Sequence, residues 1–266
     1  MKSPRIISHI CLKDNYVVQS YGFRKYFPIG RLSKSIEYMD YWGSDEIIIT
    51  EIGKGPIDFI NLKNSLINCQ LPICYGGNVD SLKDIKKLLK IGIDKVSFND
   101  LLINEPKKVN NFSKILGKQF IVGSVDIYLR DGDKFIFNHK KNKFENENIE
   151  SRLRYFEDIG VGEFFLNFIN SDGKMKGYPI NFINNIKTII KSPIIVAGGA
   201  GNPNDLINLF SKTKCTPVVG NIYNHFENPI SLVKSCFLKK YGEIRIDDLY
   251  PYKFIKYEKL LKRNEN

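Results

Sequence analysis

Ser192-Pro-Ile-Ile-Val-Ala-Gly-Gly199 and Leu71-Pro-Ile-Cys-Tyr-Gly-Gly77 share one pattern, a short apolar run ending in paired glycines. Each run is too short for a helix and is rich in β-branched or aromatic residues, so each reads as a buried strand. The two lie about 120 residues apart, and other pairs keep that interval. Gly43-Ser-Asp-Glu46-Ile-Ile-Ile49 answers Gly160-Val-Gly-Glu163-Phe-Phe-Leu166, and Val96-Ser-Phe-Asn99 answers Val218-Val-Gly-Asn221. Self-similarity at a fixed interval is the mark of repeated structural units. Here the unit is half of the chain.

Working outward, strand-like runs fall at Ile6–Cys11, Ile47–Ile52, Pro72–Tyr75, Lys95–Phe98, Phe120–Asp126, Phe164–Phe168, Ile194–Ala197 and Pro217–Val219. Helical patterns separate them, near Ser33–Trp42, Ile57–Cys69, Ser81–Leu89, Glu105–Leu116, Ile149–Ile159, Ile180–Ile189, Asn204–Phe210 and Ile230–Leu238. Pro56, Pro179, Pro203 and Pro229 precede the apolar repeats, as helix starts require. Strands alternating with helices make βαβ units and a parallel sheet. Eight units in two similar halves predict a (β/α)8 TIM barrel built from two half-barrel repeats, with an open doubly wound sheet as the alternative.

The barrel is expected over residues 1–245, followed by a basic tail over 246–266. That tail reads as frayed or packed on the barrel, ahead of membrane or partner binding. Asp131–Glu147 reads as a basic hairpin or loop after the fifth strand.

Composition narrows the function. Hydrophobic residues make up 42% of 266, enough for a sizeable core. No apolar run reaches the ~18 residues of a membrane span, and the N-terminus has no signal-peptide pattern. A cytoplasmic protein without a membrane partner is expected. Five scattered cysteines without CxxC argue against a disulfide framework or a zinc site. His9, His139 and His225 lack metal-ligand spacing, and no metal or cofactor is expected. The formal charge of +11 fits a solvated basic surface, an anionic substrate or an acidic partner. With lysines spread along the chain and no arginine-rich block, nucleic-acid binding is the weaker reading.

In this fold the active site lies at the C-terminal ends of the strands. Gly198, Gly199 and Gly201 follow the seventh strand, and Gly220 and Asn221 the eighth. Glycines let backbone N–H groups approach a phosphate. The same residues could equally serve tight turns. Gly76, Gly77 and Asn99 are the counterparts in the other half, with Asp100 beside them as a repelling charge. Two such sites across one mouth would hold a long ligand with a phosphate at each end. Asp126 ends the fifth strand and is a candidate general acid/base or a loop cap. Cys11, its counterpart on the first strand, is a small core residue or a nucleophile. An ordinary thiol pKa of ~8.5 keeps it mostly neutral at pH 7. Asp172 could bind a ligand or make a turn. Arg5, Glu46, Lys95 and Glu163 precede apolar runs at the opposite ends of the strands. Two positive and two negative charges there would form a stabilising cluster.

These residues resemble a known family. Arg5-Ile-Ile, Leu12-Lys-Asp14, Asp45-Glu46, Asp94-Lys-Val-Ser-Phe-Asn99, Val125-Asp126, Gly162-Glu163, Asp172-Gly173, Gly177-Tyr178 and Ile194-Ile-Val-Ala-Gly-Gly-Ala-Gly201 run in order from about residue 5 to 245. They resemble the cyclase subunit of imidazole glycerol phosphate synthase. The resemblance implies a barrel that takes ammonia from a glutaminase subunit docked at its N-terminal face. Ammonia would pass a gate of Arg5, Glu46, Lys95 and Glu163, with Asp94 at the partner interface. In the family it reaches a doubly phosphorylated ribulose substrate, and cyclisation and lyase cleavage follow. Two aspartates carry that chemistry. Asp126 matches the second, and Cys11 replaces the first. Gln19, Asn78, Asp100 and Ala197 stand where the family has lysine, glycine, threonine and serine.

The departures gather at the top of the barrel and spare the bottom. That pattern looks most like cyclase-like proteins associated with amidation of surface-polysaccharide sugars. There, ammonia would serve a separate sugar amidotransferase, and a phosphorylated small molecule would sit in the mouth. An active histidine-pathway cyclase is the alternative.

Overall fold

The computed structural model describes residues 5–145, 147–224, 228–242, 244 and 245. The expected basic tail over 246–266 and His225 lie outside these residues.

The chain opens with β1 (Ile7–Lys13), then an antiparallel hairpin, β2 (Tyr16–Tyr21) and β3 (Lys25–Arg31). There follow α1 (Leu32–Tyr41), β4 (Glu46–Glu51), α2 (Phe59–Leu66), β5 (Ile73–Gly76) and α3 (Leu82–Lys90). Next come β6 (Lys95–Phe98), α4 (Asp100–Asn104), α5 (Pro106–Leu116) and β7 (Ile121–Arg130). A second hairpin, β8 (Asp133–Asn138) and β9 (Lys143–Glu145), leads into α6 (Ile149–Asp158) and β10 (Glu163–Phe168). The remainder is α7 (Ile180–Lys187), β11 (Ile194–Ala197), α8 (Pro203–Thr213), β12 (Thr216–Val219) and α9 (Pro229–Tyr241).

Eight of these strands, β1, β4, β5, β6, β7, β10, β11 and β12, pair in parallel. The last meets the first, with Ile7 opposite Val218 and Ser8 opposite Val219, so the sheet closes on itself. The fold is a (β/α)8 barrel.

Its strands are apolar along their whole length because both faces are covered. In β4, Ile47 and Ile49 point out to the helices, while Ile48 points into the barrel. In β10, Phe164 and Leu166 face out and Phe165 faces in. Ile7, Ile48, Cys74, Val122, Phe165, Ile195, Ala197 and Val218 form the apolar filling of the barrel itself. The helices begin where local chemistry lets them. Asp58, Ser81 and Asn148 cap α2, α3 and α6 by accepting backbone N–H bonds. Pro203 and Pro229 occupy the first turns of α8 and α9, where a missing N–H costs nothing.

The duplication is visible at the paired glycines. Gly77 has φ +129 and Gly199 has φ +135, a conformation that a side chain rarely adopts. A Cβ would lie 2.4 Å from the Glu51 carbonyl oxygen at the first and 2.1 Å from that of Gly177 at the second.

Two features extend beyond the sequence reading. The β2–β3 hairpin was not expected from the residue pattern. The fifth barrel strand runs on to Arg130, four residues past Asp126, because its outer half pairs with β8. Among the described residues no helix is long and apolar enough to cross a membrane.

Candidate functional site

At the N-terminal end of the barrel, four side chains meet in a ring. Arg5 donates to Glu46 at 3.0 Å and to Glu163 at 2.9 Å. Lys95 donates to the other oxygens of the same two carboxylates, at 2.9 and 2.8 Å. Each carboxylate therefore touches both cations, and the ring is neutral overall. Burial alone would raise Glu163, but Lys95 and Arg5 outweigh it and hold it below the usual carboxylate range. At Glu46 burial wins over the same cations and the shift is upward. Asp94, next to Lys95, is exposed on this face and accepts the backbone N–H of Ile73 at 2.8 Å.

Inside the barrel above this ring, β1 presents His9 and then Cys11. His9 bonds Thr50 at 2.9 Å and sets its ring edge-on to Phe165. Burial pushes the His9 imidazole down to about 4, although Asp126 pulls the other way. Burial, and secondarily the charges of Asp172 and Asp126, push the Cys11 thiol up to about 12. Both groups are neutral at pH 7.

At the mouth, Asp126 is buried. One of its oxygens accepts from Asn99 Nδ2 at 3.0 Å and pairs with His139 Nε2 at 2.7 Å. His139 sits just beyond β8, so this pair ties the second hairpin over the fifth strand. Burial opposes charge on His139, but the hydrogen bond and charge of Asp126 outweigh it and raise the imidazole above its ordinary value. Asn99 Nδ2 also donates to the Ser124 carbonyl oxygen, which fixes the orientation of its amide. Asn99 Oδ1 and the second oxygen of Asp126 are buried acceptors without a protein partner. They suit a hydroxyl or amine donor.

The two glycine-rich corners differ. Gly198, Gly199, Gly220 and Asn221 line a cavity of about 250 Å³, shared with His9, Cys11, Asn167 and Asp172. Gly201 lies just outside it, donating its N–H to Asp205 at the start of α8. In the other corner, Gly76 lies against Ser97, and Asn99 donates to Ser124 and Asp126. Gly77 abuts Glu51, whose carboxylate accepts from the Tyr75 hydroxyl. Asp100 accepts the Lys140 backbone N–H at 3.1 Å.

Sequence reasoning missed the β2–β3 hairpin as a cover for the mouth. Ser20 donates to Asp172 at 2.7 Å and the Phe23 N–H donates to the same oxygen at 3.4 Å. Asn221 donates to the Ser20 carbonyl oxygen, and Phe23 stacks on His139 with ring centroids 6.4 Å apart. The two hairpins therefore meet over the barrel. His139 was legible only as an isolated histidine. No local spacing connects it with Asp126.

Asp172 should make this cover pH-sensitive. Burial raises its carboxyl from 3.8 to about 6, against hydrogen bonds from Ser20, Phe23 and Gly22 that lower it. Opening the hairpin returns Asp172 to water. A raised acid favours the closed form at low pH. That contribution is complete below pH 3.8 and is lost as pH rises through about 6. Hydrogen exchange at Gly22 and Arg24, corrected for intrinsic rates, should show the opening constant rise at least ~10-fold between pH 4.5 and 7.5. Asp172→Asn should flatten the profile. A wild-type profile as flat as that of the variant would remove Asp172 from this role.

Fold and geometry together define a (β/α)8 barrel of duplicated halves, with a charged ring at one end and titratable groups under two hairpins at the other. The family model described as histidine biosynthesis protein matches residues 5–228, and the chain belongs to that family. A Vibrio vulnificus protein provisionally named imidazole glycerol phosphate synthase subunit hisF2 is 28% identical over 93% of each chain. A Campylobacter jejuni protein of the same provisional name is 32% identical over 77% of this chain and 83% of its own. The Staphylococcus aureus imidazole glycerol phosphate synthase subunit HisF is 27% identical over 88% of this chain and 96% of its own.

Proposed function

We propose that this cyclase-subunit-like barrel receives ammonia from a separate glutaminase subunit on its N-terminal face. It conducts the ammonia through the Arg5–Glu46–Lys95–Glu163 ring to the mouth, for amidation in surface-polysaccharide or nucleotide-sugar biosynthesis. The observation that carries this reading is the contrast between the two ends of the barrel. The ring is complete and every charge in it is paired. At the mouth, a thiol pushed up to about 12 stands where the family has a catalytic aspartate. Such a thiol is neither an effective base nor an anionic nucleophile at pH 7.

The path between the ends supports the reading. The barrel filling is apolar, and His9 above it is held neutral. Neutral walls do not convert ammonia into a trapped ammonium ion. Asp94 on the N-terminal face is the residue proposed to meet the glutaminase, and a sugar amidotransferase is the proposed acceptor. The glycine turns of β11 and β12 are proposed to hold a phosphorylated small molecule.

The test is to mix the protein with a glutaminase-like subunit from the same organism and follow glutamine hydrolysis. Complex formation with at least a tenfold rise in hydrolysis is expected, and Asp94→Lys should weaken it. A glutaminase that neither binds nor responds would sink the proposal.

The alternative, an active cyclase of histidine biosynthesis, is favoured by one observation. Asp126 is held by Asn99 and His139 with a buried oxygen still available.

A further inference from the structure

Few groups at the mouth are placed to move a proton. Cys11 keeps its own, because burial pushes the thiol up to about 12. His9 is tied through Nε2 to Thr50, and burial holds its imidazole down at about 4. Asp172 is occupied by the Ser20 hydroxyl and the Phe23 N–H. Asp126 and His139 remain, and they form one unit. His139 Nε2 lies 2.7 Å from an Asp126 oxygen that Asn99 also holds, at 3.0 Å. The carboxylate is 7% exposed and the imidazole 38%, so the pair has one buried end and one reachable end.

A carboxylate only accepts, so the short bond puts the shared proton on His139 Nε2 and leaves the lone pair on Nδ1. Nδ1 makes no hydrogen bond among the described residues. Phe137 meets the ring edge-on at 4.7 Å, and Phe23 stacks on it at 6.4 Å. These contacts and the Asp126 bond together fix how the ring presents Nδ1. The pair borders the mouth cavity. Phe23 lines that cavity, and so does Asn167, which stands opposite Asp126 in the register of β7 and β10. Asn99 Oδ1 and the second Asp126 oxygen are buried acceptors without a protein partner, available to the donors of a ligand. An imidazole ordered by a buried carboxylate is well suited to proton transfer near neutral pH.

We propose that His139, ordered by Asp126, is the proton-transfer group of the mouth, acting on a hydroxyl or amine of a small polar ligand. The proton passes from the ligand to Nδ1, while the Nε2 proton stays in the bond to Asp126. The imidazolium then sets one positive charge against one carboxylate, and it gives the proton back to the ligand or to water. The pair thus supplies acid/base capacity where the first strand offers only a neutral thiol. The inference goes beyond ammonia delivery, which enters at the other end of the barrel. The titratable groups acting on His139 are Asp126 from β7 and Asp100 from α4. Phe23 and Phe137 present rings, and Lys140 is paired with Glu105. Burial lowers the imidazole, and Asp126, then Asp100, outweigh it and raise it above 6.5.

Steady-state turnover of the full chain with ammonium and the doubly phosphorylated ribulose substrate tests it, since a slow residual reaction is where this group would show. His139→Gln keeps a donor for Asp126 but has no base. It should lower kcat a further ~10²-fold or more, with KM changed less than about threefold. Wild-type kcat should rise with pH through an apparent pKa above 6.5, because the unprotonated imidazole is required, and His139→Gln should lose that limb. His139→Ala should regain rate when imidazoles are added, in the order of their basicity. A residue that merely fastens the hairpin would not give that order. Histidine NMR supplies a readout apart from activity: the resonance lost in His139→Gln should show the Nε2–H tautomer, and its pKa should fall in Asp126→Asn. His139→Gln keeping more than about a tenth of the wild-type kcat would overturn the inference, and so would a wild type without ammonia-dependent turnover. Neither result bears on ammonia delivery, which the glutaminase assay decides separately.

Discussion

Lys95→Met should destabilise the barrel by ~3–5 kcal/mol, the usual cost of removing one partner from a buried ion pair. Glu46 and Glu163 are 5% and 9% exposed, and each shares its charge between Arg5 and Lys95. Without Lys95, two buried carboxylates face one guanidinium. Coulomb repulsion and lost solvation then act in the same direction. For a chain of this size the melting temperature should fall by roughly 6–20 °C in calorimetry or circular dichroism. Adding Glu163→Gln leaves one carboxylate and one cation, which can pair. The double variant should recover part of the loss, so the two changes are non-additive. A fall below about 2 °C would mean that solvent screens the ring.

The second expected result concerns chemistry. With the doubly phosphorylated ribulose substrate and ammonia, the wild-type protein should turn over ~10²–10⁴-fold more slowly than a genuine cyclase, the usual cost of losing one general acid/base. Cys11 cannot substitute, because burial and the charges of Asp172 and Asp126 keep its proton in place. Cys11→Asp restores a carboxyl at the end of β1. It should recover at least about tenfold of that loss, since the missing carboxyl is its cause. Wild-type turnover within tenfold of the genuine enzyme would return the protein to histidine biosynthesis, with Asp126 and His139 carrying the proton transfers.

Much of the lower half of the site was legible before the structure. Arg5, Glu46, Lys95 and Glu163 each precede an apolar run, and the start of a parallel strand always lies on the same face of a barrel. Their meeting follows from the strand pattern alone. The upper half was less legible. Asp126, Cys11 and the glycine turns could be placed at strand ends, but their partners could not. His139 comes from a hairpin, Ser20 and Phe23 from another, and Asp172 from a loop. Loop residues carry no periodicity that says where the loop folds back. The sequence also made the two glycine corners look alike. Only Asp100 hinted at their difference, and Glu51 did not.

By itself the sequence determined the eight βα units, the duplicated half, the apolar filling and the face on which each strand-end residue lies. These depend on local alternation and on repeat spacing, which are written along the chain. Tertiary structure alone decided that Asp172 holds Ser20 across 152 residues and that Lys140 is seated on Asp100 across 40. Such contacts arise only when the closed sheet brings distant ends together. There, burial sets the charge of each group: His9 low, Cys11 and Asp172 high.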